Sequence, residues 1–175
     1  MTKKITVKSV APFFVLVVIA IVAAFIKPVA DYIPGASDPQ YNGADIAWVL
    51  ISTALVFLMT PGLAFFYGGM VHRKNVISTM IKSVVAAGVV GVLWVVCGFS
   101  LSFGESIGGF IGNPSTFAFY KGVNSGPAWP AANTIPLSLF SLFQLMFAVI
   151  TPGLVVGAVA ERIRFTAYIL FTVLF

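Results

Sequence analysis

Long apolar stretches separated by short polar segments dominate this chain. A helix needs roughly 20 apolar residues to cross the hydrocarbon core of a bilayer, and four stretches approach or exceed that length: 10–26, 46–71, 76–103 and 135–160. A fifth begins at Ile163 and is still apolar at Phe175. The pattern predicts an all-α polytopic membrane protein with core helices at about 45–71, 76–103, 135–160 and 163–175, and the fourth of these core helices is expected to be truncated.

The composition excludes an ordinary soluble domain. Hydrophobic residues make up 59% of the chain and charged residues only 9%, whereas soluble domains usually carry about 25% charged residues. The net charge of +5 does not indicate nucleic-acid binding, because the basic residues lie at the ends of apolar stretches and not on one polar face. We therefore expect a multi-pass protein of the cell (inner or plasma) membrane, surrounded by lipid.

The basic residues also predict an orientation, because short cytoplasmic loops are enriched in Lys and Arg. Eight of the ten Lys and Arg residues fall into segments that would share the cytoplasmic side: Lys3, Lys4, Lys8, Arg73, Lys74, Lys82, Arg162 and Arg164. Two segments rich in Pro, Gly, Asn and Ser, 28–44 and 104–134, would then lie outside. They show no helical or strand periodicity, and they are either walls of a vestibule or ordinary connectors.

The N-terminal region keeps two interpretations. A basic start followed by an apolar body suits either a secretory signal peptide or an uncleaved anchor helix over 1–26. Either one would be followed by an extracytoplasmic segment over 27–44 and a membrane domain over 45–175.

Polar side chains within the apolar stretches are informative, since such groups are costly in lipid and tend to face a bundle interior or an aqueous path. At 100° per residue, four residues of the 135–160 helix share one face: Gln144, Phe147, Thr151 and Leu154. Gly153 and Gly157 lie nearly opposite, at a spacing that lets another helix approach closely. The first face either holds a small cation against the Phe147 ring or is ordinary core, with Gln144 bonded to a neighbouring helix.

The 45–71 helix carries a comparable stripe. It consists of Thr53, Thr60, Leu63 and Tyr67, with Gly62 and Gly69 on the other side. Both helices contain the sequence Thr-Pro-Gly-Leu, at 60–63 and 151–154, and each proline is expected to bend its helix. Bent helices with polar stripes favour a channel or transporter for a small solute.

Enzyme chemistry has little support. The chain has five acids, one His and one Cys, and they are not grouped, so we expect no catalytic residue, metal site or cofactor. His72 is interpreted as a solvated loop residue, with a metal or proton role as the alternative, and Cys97 as a packing residue.

Four blocks of the sequence resemble the ammonium transporter (Amt/MEP/Rh) family and occur in the family's order. They are 45–70 followed by Arg73-Lys74-Asn75-Val76, 93–96 with 98–104, 143–151, and 157–165. The resemblance implies an ammonium-transporter helical bundle with Phe147 as the outer gate and Gln144 beside it. Further residues would lie in or next to the apolar pore wall: Leu63, Phe66, Tyr67 and Leu154.

The family mechanism and partners follow as expectations from the same resemblance. Ammonium would bind outside, lose its proton and cross as ammonia while the proton follows a separate route, so that net charge is transported in the bacterial branch. The pore histidines and a vestibule aspartate would be located beyond Phe175. Members of the family assemble as homotrimers and serve nitrogen uptake, and many of them bind a PII signalling protein on the cytoplasmic side. Four residues form the cytoplasmic surface available for such a partner: Arg73, Lys74, Arg162 and Arg164. The alternatives are a Rh-like gas channel and an ammonium sensor with a fused signalling domain.

Overall fold

The computed structural model describes Val18, residues 40–124 and residues 128–174. Contacts divide the chain into two units, Met1–Ala30 and Asp31–Phe175, and apart from Val18 the described residues belong to the second. The predicted signal peptide or anchor over 1–26 and most of the 27–44 segment therefore lie outside the described residues.

Helices form most of the described chain. Helix α1 is Gly43–Met70, and α2 is Val76–Leu93, which continues through a π-helical turn at Trp94–Gly98 into α3, Phe99–Phe103. Helix α4 is Leu137–Val159 and α5 is Phe165–Leu174. These bounds agree with the predicted core helices to within about two residues, except that the 76–103 helix contains the π turn.

Three of these segments have the length and composition to span a membrane. They are Gly43–Met70, Val76–Phe103 and Leu137–Val159. Helix α1 begins at Asn42, whose side-chain oxygen accepts a hydrogen bond of 2.9 Å from the Ala44 N–H, a standard N-cap. Both α1 and α4 run through their prolines, Pro61 and Pro152, as single helices, and the predicted bends stay predictions.

The segment between α3 and α4 is more regular than its sequence indicates. Strands β1 (Ser106–Ile107) and β2 (Ile111–Gly112) form an antiparallel hairpin, and β3 (Ala128–Trp129) and β4 (Ala132–Pro136) form another. The sequence over 104–134 shows no strand periodicity, yet it forms these four strands. Strands of two to five residues are too short to display the alternation from which strands are predicted.

Two apolar clusters hold the bundle together. We call the end that carries 104–136 the outer end and the end that carries the turns 71–75 and 160–164 the inner end, following the predicted orientation. Apolar and aromatic side chains from the π turn, α3, the 104–136 segment and α4 form the outer cluster, built on Trp94, Phe99, Phe117, Val123 and Leu137. Ala86, Val156 and Tyr168 form the inner cluster, with Tyr67 packed against it.

Candidate functional site

The predicted face of α4 is present and largely uncovered. Phe147 is 44% exposed and Leu154 is 49% exposed, whereas Gln144 and Thr151 are half-buried. The Thr151 hydroxyl donates a 2.7 Å hydrogen bond to the Phe147 carbonyl oxygen, so this polar group is satisfied within its own helix. An open aromatic ring with aliphatic neighbours therefore lines one side of α4.

The Phe147 ring is oriented by a second aromatic residue. Phe143, one helical turn earlier, lies with its ring centroid 5.1 Å from that of Phe147 at an interplanar angle of 80°. This edge-to-face arrangement is one that aromatic pairs favour. Sequence reasoning included Phe143 in a matching block but did not assign it this supporting role.

The stripe on α1 also has the predicted division of faces. Thr53 and Thr60 are buried, Leu63 and Tyr67 are half-buried, and Gly62 and Gly69 are exposed. The Thr53 hydroxyl donates to the Val49 carbonyl oxygen at 2.7 Å. Phe66 differs from Leu63 and Tyr67, because it is 60% exposed; its ring contacts that of Tyr67 edge-on at 5.4 Å between centroids.

Tyr67 joins the two helices. Its hydroxyl donates a 3.2 Å hydrogen bond to the Leu154 carbonyl oxygen, and its ring lies over Gly157, where an added Cβ would overlap the ring atoms. The predicted close approach at Gly157 is therefore confirmed. At Gly153 it is wrong, since a Cβ there would meet no atom within 4 Å; the Tyr67 ring reaches only the second glycine.

The structure brings together some predicted site residues and separates others. Tyr67 and Leu154 are in direct contact through a hydrogen bond. Phe147 and Gln144 lie further towards the outer end of α4, with Phe147 about 10 Å along the axis from Leu154. The predicted residues thus lie on one side of α1 and α4, which we call the groove wall. It has an outer aromatic level at Phe147 and an inner level at Tyr67.

At the inner end, all four predicted partner-surface residues are exposed: Arg73, Lys74, Arg162 and Arg164. The acid between them was missed by sequence reasoning. One carboxylate oxygen of Glu161 accepts hydrogen bonds from the His72 backbone N–H at 2.8 Å and from the Asn75 side-chain nitrogen at 3.1 Å. These bonds, the Asn75 one above all, hold the pKa of Glu161 below its ordinary value near 4.5. The signal that could have found it is that Glu161 is the only acid in the two turns.

Lys82 is a further inner-end residue whose surroundings differ from a surface lysine. It is only 4% exposed, and its ammonium group donates to the Ile163 carbonyl oxygen at 3.4 Å. It thus ties α2 to the turn before α5. Its inner-side placement in the sequence analysis agrees with this contact.

A buried polar chain supports the outer cluster. The Trp94 indole N–H donates to the Ser141 hydroxyl at 3.3 Å, and that hydroxyl donates to the Tyr120 hydroxyl at 2.7 Å. Burial raises the pKa of Tyr120, outweighing the opposing effect of its hydrogen bonds. Phe119 and Tyr120 both have left-handed backbone conformations, with φ of 54° and 59°. The hydrogen bonds from Trp94 through Ser141 to Tyr120 therefore hold a strained backbone segment near the outer end of α4.

Two cavities border the groove wall. One of about 410 Å³ lies beside the π turn and is lined by Trp94, Cys97, Ala148, Thr151 and Thr172 among others. Another of about 320 Å³ lies at the inner end, between Tyr67, Met70, Gly157, Ala160 and Glu161. Among residues 40–124 and 128–174, no group of three or more His, Cys, Asp or Glu side chains is arranged to hold a metal ion.

Comparison with known proteins identifies the family of this chain. The family model described as Ammonium Transporter Family matches residues 47–175. An ammonium transporter of Mycobacterium tuberculosis is 49% identical over 143 residues, covering 74% of this chain and 30% of the relative. One from Bacillus subtilis is 46% identical over 132 residues, covering 74% of this chain and 31% of the relative.

Solved structures give the same result for the fold. The crystal structure of Saccharomyces cerevisiae Mep2 matches with a TM-score of 0.66 at 30% identity, covering 77% of this chain and 30% of that one. The structure of the delta442 mutant of Mep2 from Candida albicans matches with a TM-score of 0.64 at 32% identity, covering 77% of this chain and 33% of that one.

The chain spans about a third of the length of these relatives. Its helices match theirs in fold, and three of them are long and apolar enough to span a bilayer. The protein is therefore a multi-pass helical membrane protein that belongs to the ammonium transporter family.

Proposed function

We propose that the full-length protein transports ammonium across the cell membrane for nitrogen uptake, with residues 45–175 contributing the first part of its transport domain. The family match over residues 47–175 carries this proposal. The open α4 face, with a half-exposed Phe147 ring above the Tyr67–Leu154 contact, supports it by supplying one apolar wall of a path.

The proposed route begins at the outer end of α4. A cation is attracted to the face of an aromatic ring by about 0.5 to 2 kcal/mol, and the exposed Phe147 ring, held edge-on by Phe143, is available for that contact. Gln144 lies one turn before Phe147 and supplies an amide beside it. We assign Phe147 as the outer gate and Gln144 as its polar neighbour.

Below Phe147 the solute would travel as ammonia. Moving a charged group into apolar surroundings costs several kcal/mol more than moving a neutral one, and the proposed inner wall is apolar: Leu63, Phe66, Tyr67 and Leu154. Loss of the proton at the outer level therefore lowers the barrier to passage. The proposed route also requires the released proton to cross separately, so that each transported ammonium moves one net charge.

Growth provides the first test. We expect a strain lacking its own ammonium transporters to grow on low ammonium when it expresses the full-length protein, and not when it expresses an inactive control present at equal amount in the membrane. Equal growth of the two strains would contradict the proposal. Uptake of ammonia without movement of net charge would instead indicate a Rh-like gas channel, and a fused signalling domain without transport would indicate a sensor.

We further propose that the protein assembles as a homotrimer within the bilayer. The outward residues of α1 support a lipid- or subunit-facing surface, because Trp48, Leu55 and Phe65 are all at least 60% exposed. Chemical crosslinking of the protein in native membranes should give a ladder that ends at three subunits. A ladder that ends at two would contradict the trimer.

The four exposed inner-end cations define the surface proposed for a PII signalling protein: Arg73, Lys74, Arg162 and Arg164. They belong to two turns that Glu161 connects, which supports treating them as one surface. A pull-down of the full-length protein should recover a PII protein in a nucleotide-dependent manner. Recovery that does not depend on nucleotide, or no recovery, would contradict this assignment.

A further inference from the structure

Glu161 adopts a backbone conformation that suits another residue type. It follows the end of α4, where Ala160 is the C-cap, and its φ is +62°. This left-handed position after a helix is most often taken by Gly, because a Cβ is disfavoured there. The conformation is compatible with a strong contact made by the side chain of Glu161, which is the only acid in the turns 71–75 and 160–164.

Asn75 also departs from its local preference. It is the N-cap of α2, a position where an Asn side chain commonly accepts a hydrogen bond from the first turn, yet it makes no such bond. Its side-chain nitrogen donates instead to Glu161, 3.1 Å away and 86 positions later in the chain. Glu161 and Asn75 thus both lack a favourable local interaction, and they contact each other between the two turns.

The contact between Glu161 and Asn75 is one of several contacts that join helices and turns at the inner end. The same oxygen of Glu161 accepts the His72 backbone N–H at 2.8 Å, Lys82 reaches the Ile163 carbonyl oxygen at 3.4 Å, and the Tyr67 ring lies over Gly157. The cavity of about 320 Å³ between α1 and α4 is lined by both Tyr67 and Glu161. The 160–164 turn, through Ala160 and Glu161, therefore forms part of the wall of this inner cavity.

We propose that Glu161 is a positioning residue that fixes the inner mouth of the transport path by clasping the turns 71–75 and 160–164 together through Asn75 and His72. This inference rests on the proposed function. Glu161 contacts no proposed solute site; it acts through the two turns. Because Phe147 lies at the other level of α4, the clasp governs the maximal transport rate and not the half-saturating ammonium concentration.

Four variants of the full-length protein in proteoliposomes test the clasp, with ammonium-evoked current normalised to the amount of folded protein. Glu161→Ala removes both hydrogen bonds and should lower the maximal current by about two- to fivefold, the scale expected for solvent-exposed contacts of a charged group, at an unchanged half-saturating concentration. Glu161→Gln keeps the accepting oxygen but not the charge, so its current should fall between that of Glu161→Ala and that of the unmodified protein.

Asn75→Asp separates the clasp from simple helix stability. Aspartate is as good an N-cap as asparagine, so α2 should be unharmed, but the new carboxylate repels Glu161 and the current should fall as in Glu161→Ala. In the double variant Asn75→Asp with Glu161→Gln, the amide nitrogen of residue 161 can donate to the new carboxylate while its oxygen still accepts from His72. The double variant should recover most of the current.

Unaltered current in Glu161→Ala, a changed half-saturating concentration, or no recovery in the double variant would each overturn the clasp. Failure of the proposed function looks different, because the unmodified protein itself would then give no ammonium-evoked current. Comparison of the unmodified protein with its variants in one preparation separates the two results.

Discussion

The ring of Tyr67 in α1 lies directly over Gly157 in α4, and its hydroxyl donates to the Leu154 carbonyl oxygen at 3.2 Å. One side chain thus makes both an apolar and a polar contact across the two helices. It fills the space that a side chain at Gly157 would occupy, and it packs against the inner cluster of Ala86, Val156 and Tyr168. The inner half of the groove wall depends on this arrangement.

Substitution of Gly157 tests that dependence. Gly157→Ala should destabilise the protein by about 1 to 3 kcal/mol, since overpacking a filled site costs that much and a Cβ there overlaps the Tyr67 ring. Gly153→Ala is the matched control, because its Cβ meets no atom within 4 Å and Ala favours a helix by up to about 1 kcal/mol. Thermal unfolding of the two variants in detergent measures the difference, and equal stabilities would contradict the packing described.

The outer polar chain gives a second prediction. Ser141→Ala leaves the Trp94 indole N–H and the Tyr120 hydroxyl without their shared partner, and an unsatisfied buried polar group costs about 1 to 3 kcal/mol. The variant should unfold at a lower temperature and should loosen the strained 119–120 segment, as measured by hydrogen exchange. Ser138→Ala, at an exposed position of the same helix, should change neither measurement. An equal loss of thermal stability in the two variants would contradict this role of the Ser141 hydrogen bonds.

Acid should weaken the contact between the inner turns. The hydrogen bonds from Asn75 and His72 hold the pKa of Glu161 below its ordinary value near 4.5, so the folded state favours the carboxylate. The stabilisation is fully present above the ordinary value and is lost as pH falls through the lower, folded pKa. Hydrogen exchange of the 160–164 turn, expressed relative to the intrinsic amide rate at each pH, should therefore rise below about pH 4.5 in the unmodified protein. The rise should be absent in Glu161→Gln, and a rise of the same size there would contradict this origin.

The role of Phe147 can be tested against a neighbour of equal exposure. Phe147→Ala should raise the half-saturating ammonium concentration by roughly 2- to 30-fold, the range that corresponds to the cation–π attraction lost. Leu142→Ala removes a side chain on the same helix that is 43% exposed, compared with 44% for Phe147, and should leave that concentration unchanged. Concentration dependence of transport in proteoliposomes measures both, and an unchanged value for Phe147→Ala would contradict an outer cation contact.

The length of the apolar stretches was sufficient to predict the helices, and the spacing of polar residues at 100° per residue predicted their faces. The apolar runs around Gly43–Met70 and Leu137–Val159 are long enough to span a membrane, and the buried Thr53 and Thr60 lie on the stripe that spacing predicted. The π turn at Trp94–Gly98 left no trace in the sequence, because its residues are as apolar as those on either side.

The pattern of apolar and polar positions could not predict contacts between distant segments. Nothing in the spacing pairs Glu161 with Asn75, which is 86 positions away, or Ser141 with Tyr120, because each contact depends on how α1, α2 and α4 pack. The glycine spacing on α4 indicated a close approach at two positions, but the partner is one ring, so only Gly157 is covered. Short strands in the outer segment were missed because two residues cannot show a period.

The current that follows a rapid ammonium jump tests the transport proposal most directly. Proteoliposomes that contain the full-length protein should give a transient inward current that saturates with ammonium concentration and is absent for an equal jump of sodium. Ammonium can cross the apolar wall below Phe147 as ammonia while its proton crosses by a separate route, whereas sodium has no neutral form. A sodium jump that gives an equal current, or no response to ammonium from folded protein, would contradict ammonium transport by this route.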